Sequence, residues 1–204
     1  MKRLALVLIA AAALAQGGLR VGGQNATEGI ADALNESGKI MVNGHATPYL
    51  IRHLPVNSFP QLPAEAQSEL NRRRCLIPQT YEAHAPENVI EASLERAGSR
   101  DWAVLCSVKG TVSLLVFFAD HAEPVVLASA QETERLEAHG AAGVLGFDWG
   151  IDAATPEQVH EAQAGMQNPP PRLAHDALAE TVIDQTTVYH YYAGDAWTVV
   201  GTGE

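Results

Sequence analysis

Apolar and polar positions are most regular in the middle of the chain. Trp102, Val104 and Cys106 fall on one face of an extended segment and Ala103, Leu105 and Ser107 on the other. Both sets are largely apolar, which marks 102–108 as a central strand covered on two sides. Thr111–Ala119 follows after Lys109-Gly110, a link too short for anything but a hairpin. With Val89–Leu94 before this pair and Pro124–Ala128 after it, the pattern predicts a β-meander. Lys39–Val42 and His45–Ile51 flank Asn43-Gly44 and predict a hairpin with a type I′ turn, while Pro48 assigns its second arm to a sheet edge. A last hairpin is expected from Thr187–Tyr192 and Trp197–Val200, around Ala193-Gly194-Asp195-Ala196.

Four segments carry helical signals. Asn25 with Glu28 makes a capping-box spacing for a helix over 26–36, although Asn25-Ala26-Thr27 also matches a glycosylation sequon. After the Pro55–Pro63 connection, Ala64–Arg74 has Glu65 near its start and Arg72-Arg73-Arg74 at its end, which complements the helix dipole. Glu69 is placed to pair with Arg73 one turn later, so the arginines have a structural use besides that of a binding patch. Gln131–His139 reads as an acidic helix, followed by a flexible return, Gly140–Gly146, into a strand around Leu145–Ile151. Thr155-Pro156-Glu157-Gln158 supplies an N-cap, a proline at the first position and a capping-box glutamine. The helix it starts turns Val159, Ala162 and Met166 one way and is stopped by Asn168–Pro171.

Strands and helices do not alternate and no period repeats, so the expected fold is α+β. In it an antiparallel β-meander sheet carries the helices from Ala64 and Pro156 on one face. The expected division is a leader over 1–15, an N-terminal helix and hairpin segment over 16–61, and the α+β domain over 62–204.

Charge and the N-terminus narrow the setting. Thirteen Lys+Arg stand against 24 Asp+Glu, for a net charge of -11, and such a surface repels nucleic acid. Lys2-Arg3, the apolar run Leu4–Ala12 and then Ala13-Leu14-Ala15 have the order of a signal peptide cleaved between Ala15 and Gln16. The run is shorter than the roughly 20 residues a membrane span needs. No other segment is long and apolar enough, so the expectation is a secreted or periplasmic protein with no transmembrane anchor. In such a compartment Cys75 and Cys106, the two cysteines of the chain, are expected to form a disulfide, the alternative being two buried thiols.

Most catalytic signatures are missing. No Gly-x-Ser-x-Gly elbow, no His-Glu-x-x-His pair and no phosphate-binding glycine loop occurs, and no cofactor is expected. Two candidate sets remain. Tyr189 and Tyr191 share a strand face, and Trp197 on the partner strand lies across from them. Such rings suit stacking on a glycan or an envelope protein, or packing into the core. Asp148, Asp152, His160, His175 and Asp176 are residue types that bind zinc or a harder cation and would serve a metal-dependent hydrolase. The first set is the preferred one: a binding or envelope module without catalysis.

Cys75-Leu76-Ile77-Pro78-Gln79, the strand Asp101–Ser107 and the stretch from His175-Asp176 to Trp197 resemble a group of uncharacterised exported bacterial proteins. These share a Cys-x-Ile-Pro-Gln element and an Asp-Trp-Ala-Val-Leu-Cys-Ser strand. The resemblance covers about Leu62 to Val200; it implies export and the cysteine pairing, and no activity. Asn88–Leu105 is also similar to a calcium-binding propeller-blade element, but 95–101 offers too few carboxylates for a hard cation.

Overall fold

The structure is a computed structural model that describes residues 34–121, 123–141, 143–169, 171–183 and 185–200. The leader, the Ala15–Gln16 cleavage site and nearly all of the helix expected over 26–36 lie outside the described residues. The end of that segment is a strand, since Glu36 opens β1.

Nine strands form the larger sheet. In chain order they are β1 (Glu36–Val42), β2 (His45–Pro55), β3 (Leu76–Gln79), β4 (Val89–Ala92), β5 (Asp101–Val108), β6 (Thr111–Phe117), β7 (Val125–Gln131), β8 (Leu136–His139) and β9 (Val144–Phe147). Their spatial order is β7-β6-β5-β3-β2-β9-β8, with β1 beside β2 and β4 beside β5. A second, four-stranded sheet runs β10 (Trp149–Ala154), β11 (Ala177–Val182), β12 (Thr186–Ala193), β13 (Ala196–Val200) and is antiparallel throughout. In the larger sheet, β2 and β9 are parallel through Tyr49↔Leu145 and Leu50↔Gly146, so that sheet is mixed.

The period of two along β5 builds two cores at once. Ala103 and Leu105 face the smaller sheet and pack with Leu114, Val116, Phe147, Trp149, Ile151 and Leu178. Trp102, Val104 and Cys106 face the other way, onto helix α1 (Ala64–Arg73) and the segment before it, through Val56, Phe59, Ala66 and Leu70. Each Val, Leu, Ile or Phe among them, fully buried, contributes about 1.5–3 kcal/mol. Helix α2 (Pro156–Ala162) packs Val159 on the far face of the smaller sheet, against Ala177, Ala179 and Val200. The layers are therefore α1, larger sheet, smaller sheet, α2. The expected arrangement with both helices on one face is corrected: each helix covers the outside of a different sheet.

Local signals held where the chain supplies its own partners. Asn43 and Gly44 have φ of 50° and 81°, and Lys109 and Gly110 have 54° and 79°, both with the two positive values a type I′ turn requires. Thr155 caps α2 through the Gln158 amide, and the Gln158 side chain returns the bond to the Thr155 N–H. Glu69 holds both Arg72 and Arg73 at 2.6 Å. α2 itself stops at Ala162, well before Asn168.

Long-range pairing overrode three expectations. Over 131–139 only a 3₁₀ turn, Glu132–Glu134, is helical, and Leu136–His139 is β8. The ladder with β9 wins there, setting Leu136 against Phe147 and Ala138 against Leu145. Pro48 does not mark an edge, because β2 has β1 on one side and β9 on the other. The parallel pairing begins at Tyr49, one residue after the proline, so no ladder bond to β9 is lost. The run expected around Leu145–Ile151 is two strands in two sheets, broken at Asp148.

Candidate functional site

The residues that carry the resemblance are architectural. Cys75 and Cys106 form a disulfide, with Cα atoms 5.1 Å apart, that ties the end of α1 to β5. Buried Gln79 donates to the Glu87 carbonyl at 3.1 Å and accepts from the Glu87 N–H at 3.0 Å, clamping the loop over 80–87. Arg52 fixes the same loop through the Thr80 and Ala83 carbonyls. Asn88, 2 % exposed and at φ 66°, donates to the Pro78 and Trp149 carbonyls and accepts from the Ile151 N–H, joining the two sheets. Asp101 is fully buried and accepts from the N–H groups of Leu94, Glu95 and Ala119 and from the Ser99 hydroxyl at 2.5 Å. Three of these donors share Oδ2, and the Ala119 N–H holds Oδ1. The loop 95–101 is thus closed on its own aspartate.

The five candidate metal ligands are scattered. His160 is exposed on α2, and Asp152 opens onto a cavity of about 470 Å³ with Glu82, His84 and Glu87. Asp176 accepts from the Ser93 N–H at 2.9 Å, and His175 stacks on Tyr191 with its Nδ1 at 3.1 Å from the Asp176 carbonyl. Asp148 lies between β9 and β10. Among the described residues no three His, Cys, Asp or Glu side chains gather to hold a metal ion.

Two buried ionisable groups escaped the sequence reading of their surroundings. Asp148 is 5 % exposed and its Oδ1 has no hydrogen-bond partner. Burial pushes its carboxyl up to about 6, Arg135 opposing and Glu137 adding to the rise. Arg135 lies over the Trp149 ring at 4.3 Å and reaches Glu180 at 3.2 Å, and Glu180 holds His190 at 2.7 Å, so a row of charge crosses from one sheet to the other. The second group is His53, which meets Glu132 at 2.7 Å with both residues almost fully buried. Its Nδ1–H donates to the Leu34 carbonyl at 3.0 Å. Both ring nitrogens are engaged, so this dyad has no nitrogen left to serve a substrate. Burial raises the Glu132 carboxyl, but hydrogen bonds from His53 and Ser107 together with the charge of His53 outweigh it and hold it below the usual carboxylate range.

The aromatic set divides by the strand period. Tyr189 and Tyr191 face the α2 side, where the Tyr191 Oη accepts from the Ala174 N–H at 3.3 Å. Trp197 is paired with Tyr192 and faces inward, so it does not share their surface as expected. All three rings are half-buried. The inward pair meets Phe118: Tyr192 at 4.7 Å and Trp197, stacked, at 6.0 Å between ring centres. Phe118 also lines a cavity of about 400 Å³ between the first turn of α1 and the ends of β5 and β6. Trp102, Phe117 and Ala66 form its apolar wall; Glu65, Arg100, Asp120 and His121 stand around it. The C-terminal hairpin thus backs a ring-walled cavity through one shared phenylalanine.

No protein family, characterised protein or solved structure matches the chain.

The cavity falls within the range of about 300–1,000 Å³ usual for small-molecule clefts, which are apolar with a few polar groups at the rim. Its sequence signal was the pair Phe117-Phe118, whose rings point to opposite faces of the sheet and so reach both cores at one strand end. That α1 would close over this end could not be read locally, since Pro63 and Ala66 arrive from a distant part of the chain.

Proposed function

We propose that the chain is an exported binding module without catalysis, whose ligand enters the ring-walled cavity beside α1. The observation that carries this reading is the cavity of about 400 Å³ walled by Trp102, Phe117 and Phe118. Rigid rings offer large apolar contact at little entropic cost, and the hairpin containing Tyr192 and Trp197 holds one of them from behind. Export is supported by the leader-like order of 1–15 and by the Cys75–Cys106 disulfide, a bond favoured in oxidising compartments. Among the described residues no helix is long and apolar enough to cross a membrane. Kinship with the exported proteins that share the Cys-x-Ile-Pro-Gln and Asp-Trp-Ala-Val-Leu-Cys-Ser elements belongs to the same proposal.

A neutral fluorescent probe, N-phenyl-1-naphthylamine, tests the reading. It should brighten on the wild-type protein with saturation near one equivalent. Ala119 is exposed at the cavity mouth, so Ala119→Trp should block it without disturbing the core. The expected result is at least tenfold weaker probe binding at an unchanged melting temperature. No probe binding by the wild type, or equal binding by both proteins, would sink the reading.

A further inference from the structure

The charges around the cavity indicate what it selects. Arg100 is bound by Glu91, Arg96 by Glu95, and Arg96 also meets Asp120 at 2.6 Å. His121 lies 3.6 Å from Glu95 and edge-on to Phe118. Every cation near the mouth therefore already faces a carboxylate. Glu65, in the first turn of α1, forms no ion pair among the described residues. The positive end of the helix offsets part of its charge, but the chain as a whole carries -11. A carboxylate or phosphate approaching this mouth meets arginines whose charge Glu91, Glu95 and Asp120 already offset. A cation meets no such obstacle, and inside it meets a lining that includes the aromatic residues Trp102, Phe117 and Phe118. Aromatic walls with one wet acidic side recognise alkylated ammonium groups, because such cations lose little hydration on entering an apolar space.

We propose that the cavity lined by Trp102, Phe117 and Phe118, with Glu65 at its mouth, takes a small organic ammonium ion. This rests on the binding reading above and names its ligand class. The ligand is a free alkylated or aryl ammonium, with its apolar part against Ala66 and the rings and its charge toward Glu65. Wall and mouth contribute separately. The rings supply an attraction that salt leaves nearly intact, and Glu65 supplies one that salt screens.

Isothermal titration with three probes of similar shape separates these contributions: phenyltrimethylammonium, tert-butylbenzene and benzenesulfonate. The cation should bind roughly 2- to 30-fold more tightly than the neutral probe, the span of cation–ring attraction from exposed to desolvated sites. The sulfonate should bind most weakly. Glu65→Gln should weaken the cation about 2- to 5-fold, leave the neutral probe unchanged and flatten the salt dependence; this residue is exposed, so folding is not at stake. A cation no tighter than its neutral isostere would overturn the inference while leaving the cavity reading intact. So would a Glu65→Gln protein with wild-type selectivity. If N-phenyl-1-naphthylamine and all three probes fail to bind, both proposals fall together.

Discussion

Asp148→Asn should make the protein more stable at neutral pH. The carboxyl is 5 % exposed, its Oδ1 has no partner, and burial lifts it from 3.8 to about 6. Between these values the folded chain keeps a proton that the unfolded chain has released. Stability therefore falls as pH rises through this window, and the penalty is complete above it. Two units of displacement correspond to about 3 kcal/mol. The asparagine keeps the shape and the backbone bonds of residue 148 to Arg135 and Ile183, and it never charges. Urea unfolding of both proteins with the disulfide intact, at steps from pH 3.5 to 8, measures the difference. The variant should match the wild type at pH 3.5 and exceed it by about 3 kcal/mol at pH 8. At this chain length that is roughly 6–12 °C in melting temperature. Glu137→Gln should move the midpoint of the difference to lower pH, because Glu137 adds to the rise. A pH-independent difference, or a variant less stable at pH 8, would refute the reasoning.

Other substitutions probe the remaining ties. Replacing Cys75 and Cys106 together by Ala should cost about 3–4 kcal/mol in unfolding experiments, the chain-entropy value for a separation of 31 residues. His53→Ala strands Glu132 in the core and should cost about 3–5 kcal/mol. Because the Glu132 carboxyl is held low, the stability it lends is present above the ordinary carboxylate range and fades as acid protonates it, so this deficit should shrink toward pH 3. Asp101→Ala leaves three backbone N–H groups without an acceptor, and hydrogen exchange at Leu94, Glu95 and Ala119 should rise selectively. Unchanged protection at those three amides would contradict the structural role of Asp101.

What could be read in the sequence was what neighbouring residues decide among themselves. β5 declared its two-sided burial because six successive side chains alternate between two apolar faces, and both hairpin turns and the α2 cap follow from residues three or four apart. The errors concern segments whose conformation is set from far away. Leu136–His139 has the composition of a helix and becomes a strand because β9 is there to pair with. Ala177–Val182 gave no strand signal at all, its small alternating residues acquiring meaning only between β10 and β12. At the site, Trp102, Phe117 and the hairpin rings were visible as aromatic residues. Their convergence on Phe118 depends on the stacking of two sheets, which no local pattern encodes. Asn88 and Glu132 were missed for the same reason: a buried polar side chain shows its purpose only when its partners are in place.

The parallel contact of β2 with β9 has a consequence for the order in which the molecule assembles. Tyr49 and Leu145 are separated by nearly half of the chain. The β1–β2 hairpin closes on its own local turn and β3 pairs with Arg52–Pro55, but Tyr49 and Leu50 lack their β9 partner until 144–147 arrives, and contacts of that span form late. During the wait the β2 edge is an open template for another chain. Pro48 removes one donor beside the docking point. The proline that looked like the mark of a permanent edge is better understood as a guard for a temporary one.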